Sequence, residues 1–149
     1  MGAAPNQRHV ILVTGPPCSG KTTWAHHRAQ PGDLVVDADT IARRLGSPDP
    51  WLPTQPWRDT AQAVMWQQMA LVAAMTTGTA YIIRSAPDPA ERTRLATWLR
   101  AEQVVVLLPP APVLLSRART RPRPYRTIQA IRHWHTRYRP APGDHLNPD

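Results

Sequence analysis

The sequence predicts an α/β domain in which a parallel sheet of four to five strands lies between layers of helices, a three-layer sandwich. Three observations lead there. Four short runs, His9–Thr14, Leu34–Asp37, Ala80–Ile83 and Val104–Leu108, are apolar at consecutive positions, as strands buried on both faces require. Segments with helical composition separate them, which is the βαβ rhythm of a parallel sheet. The 149 residues suffice for one core, and a domain of that size buries roughly two-thirds of its unfolded surface.

In chain order, the first strand stops at Gly15, and Thr22–Ala29 reads as a helix ended by Pro31-Gly32. After the second strand, Thr40–Leu45 reads as a short helix whose cap could be Asp39 or Thr40. Gly46–Pro56 holds four prolines and reads as a loop. Trp57–Thr76 has neither Gly nor Pro and is rich in Ala, Met, Gln and Leu, which favours a long helix. Asp88–Glu102 carries Leu95, Trp98 and Leu99 at helical spacing. Beyond the fourth strand, Pro112–Ala118 is a predicted helix, the Arg/Pro-rich stretch to Arg126 a loop, and Thr127–Tyr138 a final helix. The domain is thus expected to span residues 1–139, and 140–149, with three prolines and little apolar content, to be a disordered tail. In such sheets right-handed crossovers bring the strand C-termini, and the site, to one edge.

Composition narrows the function. No stretch reaches the eighteen or so uninterrupted apolar residues of a membrane span, and the first residues lack a basic segment followed by an apolar one, so the expected location is the cytoplasm. With Cys18 the single cysteine, neither an internal disulfide nor a thiolate metal cluster can form from this chain alone. The formal charge is +8, and 17 of the 18 basic residues are Arg, the exception being Lys21. Eight arginines between Arg117 and Arg139, with no Asp or Glu among them, attract polyanions such as triphosphates or a nucleic-acid backbone.

The residues that carry chemistry begin at Gly15. Gly15-Pro16-Pro17-Cys18-Ser19-Gly20-Lys21-Thr22 fits G-x-x-x-x-G-K-[ST], placed between a predicted strand and a predicted helix as the mechanism of a phosphate-binding P-loop demands. Pro16 and Pro17 lack N–H groups, so amide donors to phosphate start at Cys18, and the helix N-terminus adds its positive end. Gly15, Cys18, Ser19, Gly20, Lys21, Thr22 and Thr23 form the expected ATP-binding set. Cys18 itself has no assigned chemistry beyond its backbone. Lys21 is placed to bridge the β- and γ-phosphates, a task for a compact ammonium rather than a planar fork, and the Thr22 hydroxyl to ligate Mg2+.

The run Gly15–Ala25 (GPPCSGKTTWA), followed by Pro31-Gly32 and by an Asp eight residues after that Pro, resembles the 5′-kinase domain of phage polynucleotide kinase, among the AAA-like and zeta-toxin-like small P-loop kinases. The resemblance implies transfer of the ATP γ-phosphate to a polynucleotide 5′-hydroxyl, with Asp39 as the base that accepts the hydroxyl proton. Leu114-Leu115-Ser116-Arg117, with Arg121 four residues on, is similar to the family's lid, here about 117–126, which implies that Arg117 and Arg121 clamp the ATP phosphates and serve catalysis with Lys21. On the acceptor side Arg43, Arg84 and Arg132 are the basic candidates. The family's Asp-Thr-Asn type sequence after the third strand is replaced here by Arg84-Ser85-Ala86-Pro87-Asp88. The matches cover the first forty-five residues and about twenty-five near the end of the chain.

Alternatives stand beside these readings. Asp39 could cap the following helix, and Asp37 could either hold a magnesium-bound water and orient Thr22 or bond loop amides. Two strand residues apart, the two carboxylates face oppositely unless the strand has ended. Arg119, Arg123 and Arg126 read as a solvated basic face, and His133 and His135 point apart on a helix rather than forming a metal pair. Trp57 and Trp66 read as packing residues and Trp51 as a residue that could stack on an acceptor base. The acceptor is a polynucleotide end or, alternatively, a nucleoside, sugar or other small alcohol; a different class of reading is an ATP-binding switch module without catalysis.

Overall fold

The computed structural model describes residues 7–48 and 54–147. Trp51 lies outside them. Among the described residues five strands and six helices follow one another as β1 (Arg8–Thr14), α1 (Lys21–Arg28), β2 (Leu34–Val36), α2 (Ala38–Leu45), α3 (Trp57–Ala74), β3 (Gly78–Ile83), α4 (Pro89–Leu99), β4 (Gln103–Leu107), α5 (Ala111–Arg119), α6 (Pro124–Arg137) and β5 (Asp144–Asn147). The sheet order is β2-β3-β1-β4-β5 and every pair is parallel, with Leu12 opposite Ile82 and Val105 opposite His145. No helix among the described residues is long and apolar enough to cross a membrane.

Strand alternation builds two cores from the same four apolar runs. Val10, Leu12 and Ile82 face α2, α3 and α4 and pack with Met65, Met69 and Leu99. Ile11, Val13, Ile83, Val105 and Leu107 face the other way, onto Ala25 of α1 and the half-buried Trp24. A third cluster, Leu114, Ala118 and Ile131, fastens α5 to α6 and takes Cys18 against it, so the Arg-rich segment sits on the phosphate loop.

Two expectations are corrected here. The stretch from Arg119 to Arg126 is not an open loop. Helix α5 runs to Arg119 and α6 starts at Pro124, where a ring-locked φ suits the first helical position, leaving a turn that Arg123 closes in the left-handed region (φ 57°). Nor are residues 140–147 a disordered tail: β5 covers the outer edge of β4. Composition concealed it because an edge strand is held by backbone pairing and can leave its side chains in water, as Leu146 does. The remaining boundaries agree with expectation or differ from it by at most three residues.

β5 is anchored by charge. Buried Arg92 on α4 meets Asp144 at 2.9 Å, and donates as well to the carbonyls of Ala86, Pro87 and Arg139. Removing one member of a buried pair strands the other. Asp144→Ala is therefore expected to lower the unfolding free energy by about 3 kcal/mol in urea titrations.

Candidate functional site

Gly15 ends β1 in a conformation (φ 150°) whose environment excludes a side chain: a Cβ there would stand 2.7 Å from the Leu107 carbonyl oxygen and 2.8 Å from Ser19 Oγ. The chain thus turns tightly beneath the end of β4 and re-enters a helix at Lys21, with Gly20 in the left-handed region (φ 89°) directly before it. Ser19 is buried, and its hydroxyl has no protein partner among the described residues, an orphaned donor at the heart of the loop. Lys21 curls over the loop, donating from Nζ to the carbonyls of Gly15 and Pro16 at 2.9 Å each. Burial holds this ammonium down at about 8, although Asp39 and Asp37 favour its charge.

Opposite the loop, β2 ends at Val36, and this decides the question of the two carboxylates. Asp37, extended at φ −143°, is the N-cap of α2, and its Oδ1 accepts from the Asp39 amide at 3.3 Å. The expected caps, Asp39 and Thr40, are instead residues of the first turn. A cap must lie just outside the helix with extended backbone, and only Asp37 does. Its Oδ2 accepts from Thr22 Oγ1 and from Thr40 Oγ1, both at 2.9 Å. Freed from capping, Asp39 turns into the same cavity as Asp37. Burial, then the neighbouring Asp37, pushes its carboxyl up to about 7 against the pull of Lys21, Arg43 and Arg121.

Two cavities flank the loop. One, of about 260 Å³, is lined by Lys21, Thr22, Asp37, Asp39, Arg43 and Arg121, with Ile83 and Thr127 closing it. The other, of about 550 Å³, lies toward β4 and β5 and is lined by Ser19, Trp24, Arg28, Leu107, Arg117 and Asn147, with Arg121 again on its wall. Gly20 and Thr23 border both. Arg117 reaches across from α5 to the loop, its Nη1 donating to the Cys18 carbonyl at 2.9 Å.

Of the residues singled out from the sequence, Lys21, Thr22, Thr23, Asp37, Asp39, Arg43, Arg117 and Arg121 converge on these cavities. Arg84 and Arg132 do not. Arg84 follows the cavity residue Ile83, and strand alternation sends it to the opposite face, where it bonds Gln62 Oε1 at 3.1 Å and lies 5.3 Å over the Trp66 ring. Arg132 is exposed on α6, off the stripe on which Thr127, Ile131 and Trp134 are buried. Two wall residues were not foreseen from the sequence: Thr127 of α6, and Asn147, which β5 carries. His133 and His135 are both exposed, and among the described residues no group of three or more His, Cys, Asp or Glu could hold a metal.

The oxygens that are present do suit one ion. Thr22 Oγ1 and Asp37 Oδ2, paired at 2.9 Å beside the phosphate loop, are hard donors of the kind magnesium takes when one or two protein oxygens, phosphates and water complete its shell. A triphosphate is equally well matched by the orphaned Ser19 hydroxyl, the glycine turn and the helix start.

A family model described as AAA domain matches residues 10–141. No curated protein matches the sequence closely enough to be a relative. Solved structures with the same fold include a chain of the Pnkp1/Rnl/Hen1 RNA repair complex, 12% identical with TM-score 0.61, covering 92% of this chain and 48% of that one. A chain of the PezAT chromosomal toxin-antitoxin system of Streptococcus pneumoniae is 18% identical with TM-score 0.55, over 74% of this chain and 51% of that one. Shikimate kinase from Acinetobacter baumannii, in complex with shikimate, is 20% identical with TM-score 0.56, over 88% and 76%. The chain spans about half the length of the first two. The fold is that of small P-loop kinases.

Proposed function

This chain belongs to the AAA-domain family, and from that premise we propose that it is an ATP-dependent kinase that moves the γ-phosphate to a hydroxyl, in the first place a polynucleotide 5′-hydroxyl. One observation carries the reading. The phosphate loop separates two cavities, one bearing a buried carboxylate, and Arg121 stands on the wall of both. Such a layout suits a donor nucleotide on the β4–β5 side, an acceptor hydroxyl on the Asp39 side, and the transferring phosphoryl group between them.

In this reading Asp39 accepts the proton of the acceptor hydroxyl as its oxygen bonds the γ-phosphorus, and the bond to the β-phosphate bridging oxygen breaks to release ADP. Lys21 leaves the Gly15 and Pro16 carbonyls for the phosphates, while Arg121 offsets charge on the equatorial oxygens. Arg117 closes the donor side and Arg43 the acceptor side. Thr22 and, through water, Asp37 would hold Mg2+, which when bound neutralises charge shared by the β- and γ-phosphates.

A small-alcohol acceptor is the second reading, favoured by the modest volume of the Asp39 cavity, about 260 Å³, which admits a sugar-sized group. The chain's charge of +8 and the exposed Arg126, Arg132 and Arg137 of α6 favour the polynucleotide. Labelled phosphate transfer from ATP to 5′-hydroxyl DNA, 5′-hydroxyl RNA, nucleosides and sugars decides between them. No transfer to any acceptor, with ATP still bound, would leave the switch-module reading.

The two lid arginines should separate kinetically. Arg121→Ala, which faces both cavities, is expected to lower turnover about a hundredfold with every acceptor, whereas Arg117→Ala, seated on the donor side alone, should chiefly raise the KM for ATP. Equal losses of turnover in both would contradict the division.

A further inference from the structure

Outside the two cavities the most unusual surface is the seam between α3 and α4. Trp66 and Trp98 are 44% and 42% exposed, their ring centroids 5.8 Å apart and tilted by 41°. Large aromatic rings left open in this way on a small domain mark a contact surface. Helical spacing adds charge on the same faces: Arg58 and Gln62 precede Trp66 at intervals of four, and exposed Arg94 stands one turn before Trp98. Arg84 lies 5.3 Å over the Trp66 ring; of the two acids on these faces, Glu91 is only loosely engaged with Arg84 at 3.8 Å, and exposed Asp59 stands two turns before Trp66.

The seam also leads to the acceptor cavity. Arg8, the first residue of β1, donates to carbonyls of Val72 and Met75 at the end of α3 and of Leu99 and Arg100 at the end of α4. Both helices therefore run opposite to β1, and their N-termini lie toward the edge where the phosphate loop is. Arg84 directly follows Ile83, a wall of the Asp39 cavity, so one peptide unit connects the cavity to the seam. From Arg58 to Trp66 is about 12 Å along α3, eight residues at a rise of 1.5 Å each.

We propose that this seam is a stacking platform for a single-stranded nucleic acid: bases stack on Trp66 and Trp98, the backbone runs past Arg58, Arg84 and Arg94, and the 5′ end reaches the Asp39 cavity. The inference rests on the polynucleotide reading of the acceptor. Aromatic faces accept any base, and the three cations outnumber the two carboxylates, Asp59 and Glu91, leaving a net positive face toward a phosphate backbone. The platform thus binds without sequence preference.

Binding is measured separately from transfer, by fluorescence anisotropy of labelled eight-nucleotide single-stranded DNA and RNA bearing a 5′-phosphate, so that no chemistry intervenes. Trp66→Ala and Trp98→Ala are each expected to weaken binding about five- to a hundredfold and Trp66→Phe to retain most of it, with the KM for ATP unchanged in all three. Parent affinity should fall steeply with salt. Two substitutions on different helices guard against a folding defect in either. Affinity unaltered by both alanine variants, or no detectable binding by the parent, overturns the platform. A parent that sediments as a dimer and becomes monomeric on Trp98→Ala with oligonucleotide affinity unchanged also overturns it, in favour of a self-interface. Tight, Trp-dependent binding without transfer to 5′-hydroxyl oligonucleotides upholds the platform and refutes the acceptor reading instead.

Discussion

Lys21→Ala is expected to reduce phosphate transfer by about a thousandfold or more while leaving the fold intact. Loss of one preorganised donor to developing charge costs on the order of a hundred- to a thousandfold, and Lys21 is in addition the phosphate loop's own cation, on the wall of the Asp39 cavity. The fold should survive because the ammonium is a burden to it. Burial lowers its pKa from 10.5 to about 8, so in the native state it sheds its proton earlier than in the unfolded chain. Between those values the unfolded state binds more protons, and stability rises with pH. The alanine variant should lose that rise in urea titrations across pH 8 to 10.5. A variant with near-parental transfer from labelled ATP would refute the role given to the loop.

The second large effect belongs to Asp39. Asp39→Asn is expected to keep ATP affinity and slow transfer by about a hundredfold or more, the usual scale for a positioned base. The pH profile gives a sharper test. Because its carboxyl is pushed up to about 7, chiefly by burial and then by Asp37, the parent should gain about tenfold in rate per pH unit below 7 and level off above, while Asp39→Asn shows no such inflection. The linkage runs the other way for stability. Between the ordinary value of 3.8 and about 7 the native state holds a proton that the unfolded chain has lost, so stability falls as pH rises through this window. Asp39→Asn removes that decline. Should Asp37→Asn instead abolish the inflection, the roles of the two acids are reversed, although its bonds to Thr22, Thr40 and the Asp39 amide mark Asp37 as the residue that orders the site.

Much of this site could be read in advance because its parts are local. The run from Gly15 to Thr22 encodes its own turn, donors and helix start, and that helix start places Lys21 and Thr22 at the loop. Arg117 and Arg121, which reach the cavity walls from α5 and from just beyond its end respectively, were legible as a spaced pair. The cap of α2 was not, since Asp37, Asp39 and Thr40 are all competent capping residues. Which of them caps depends on where β2 stops, which no local pattern marks: the last pair is Val36 with Ile82, although β3 runs on to Ile83.

By itself the amino-acid sequence determined the parallel α/β class, the first four strands, the phosphate loop and most of the residues around it, because apolar runs and a turn signature act over a few neighbouring positions. Tertiary structure alone decided the rest. It added β5, whose edge pairing demands little of its side chains, and with it Asn147 on the cavity beside β4 and β5. It brought Thr127 to the Asp39 cavity by docking α6 on Cys18. And it turned Arg84 away from that cavity, since the strand that delivers Ile83 to one face must deliver its successor to the other, where it meets Trp66.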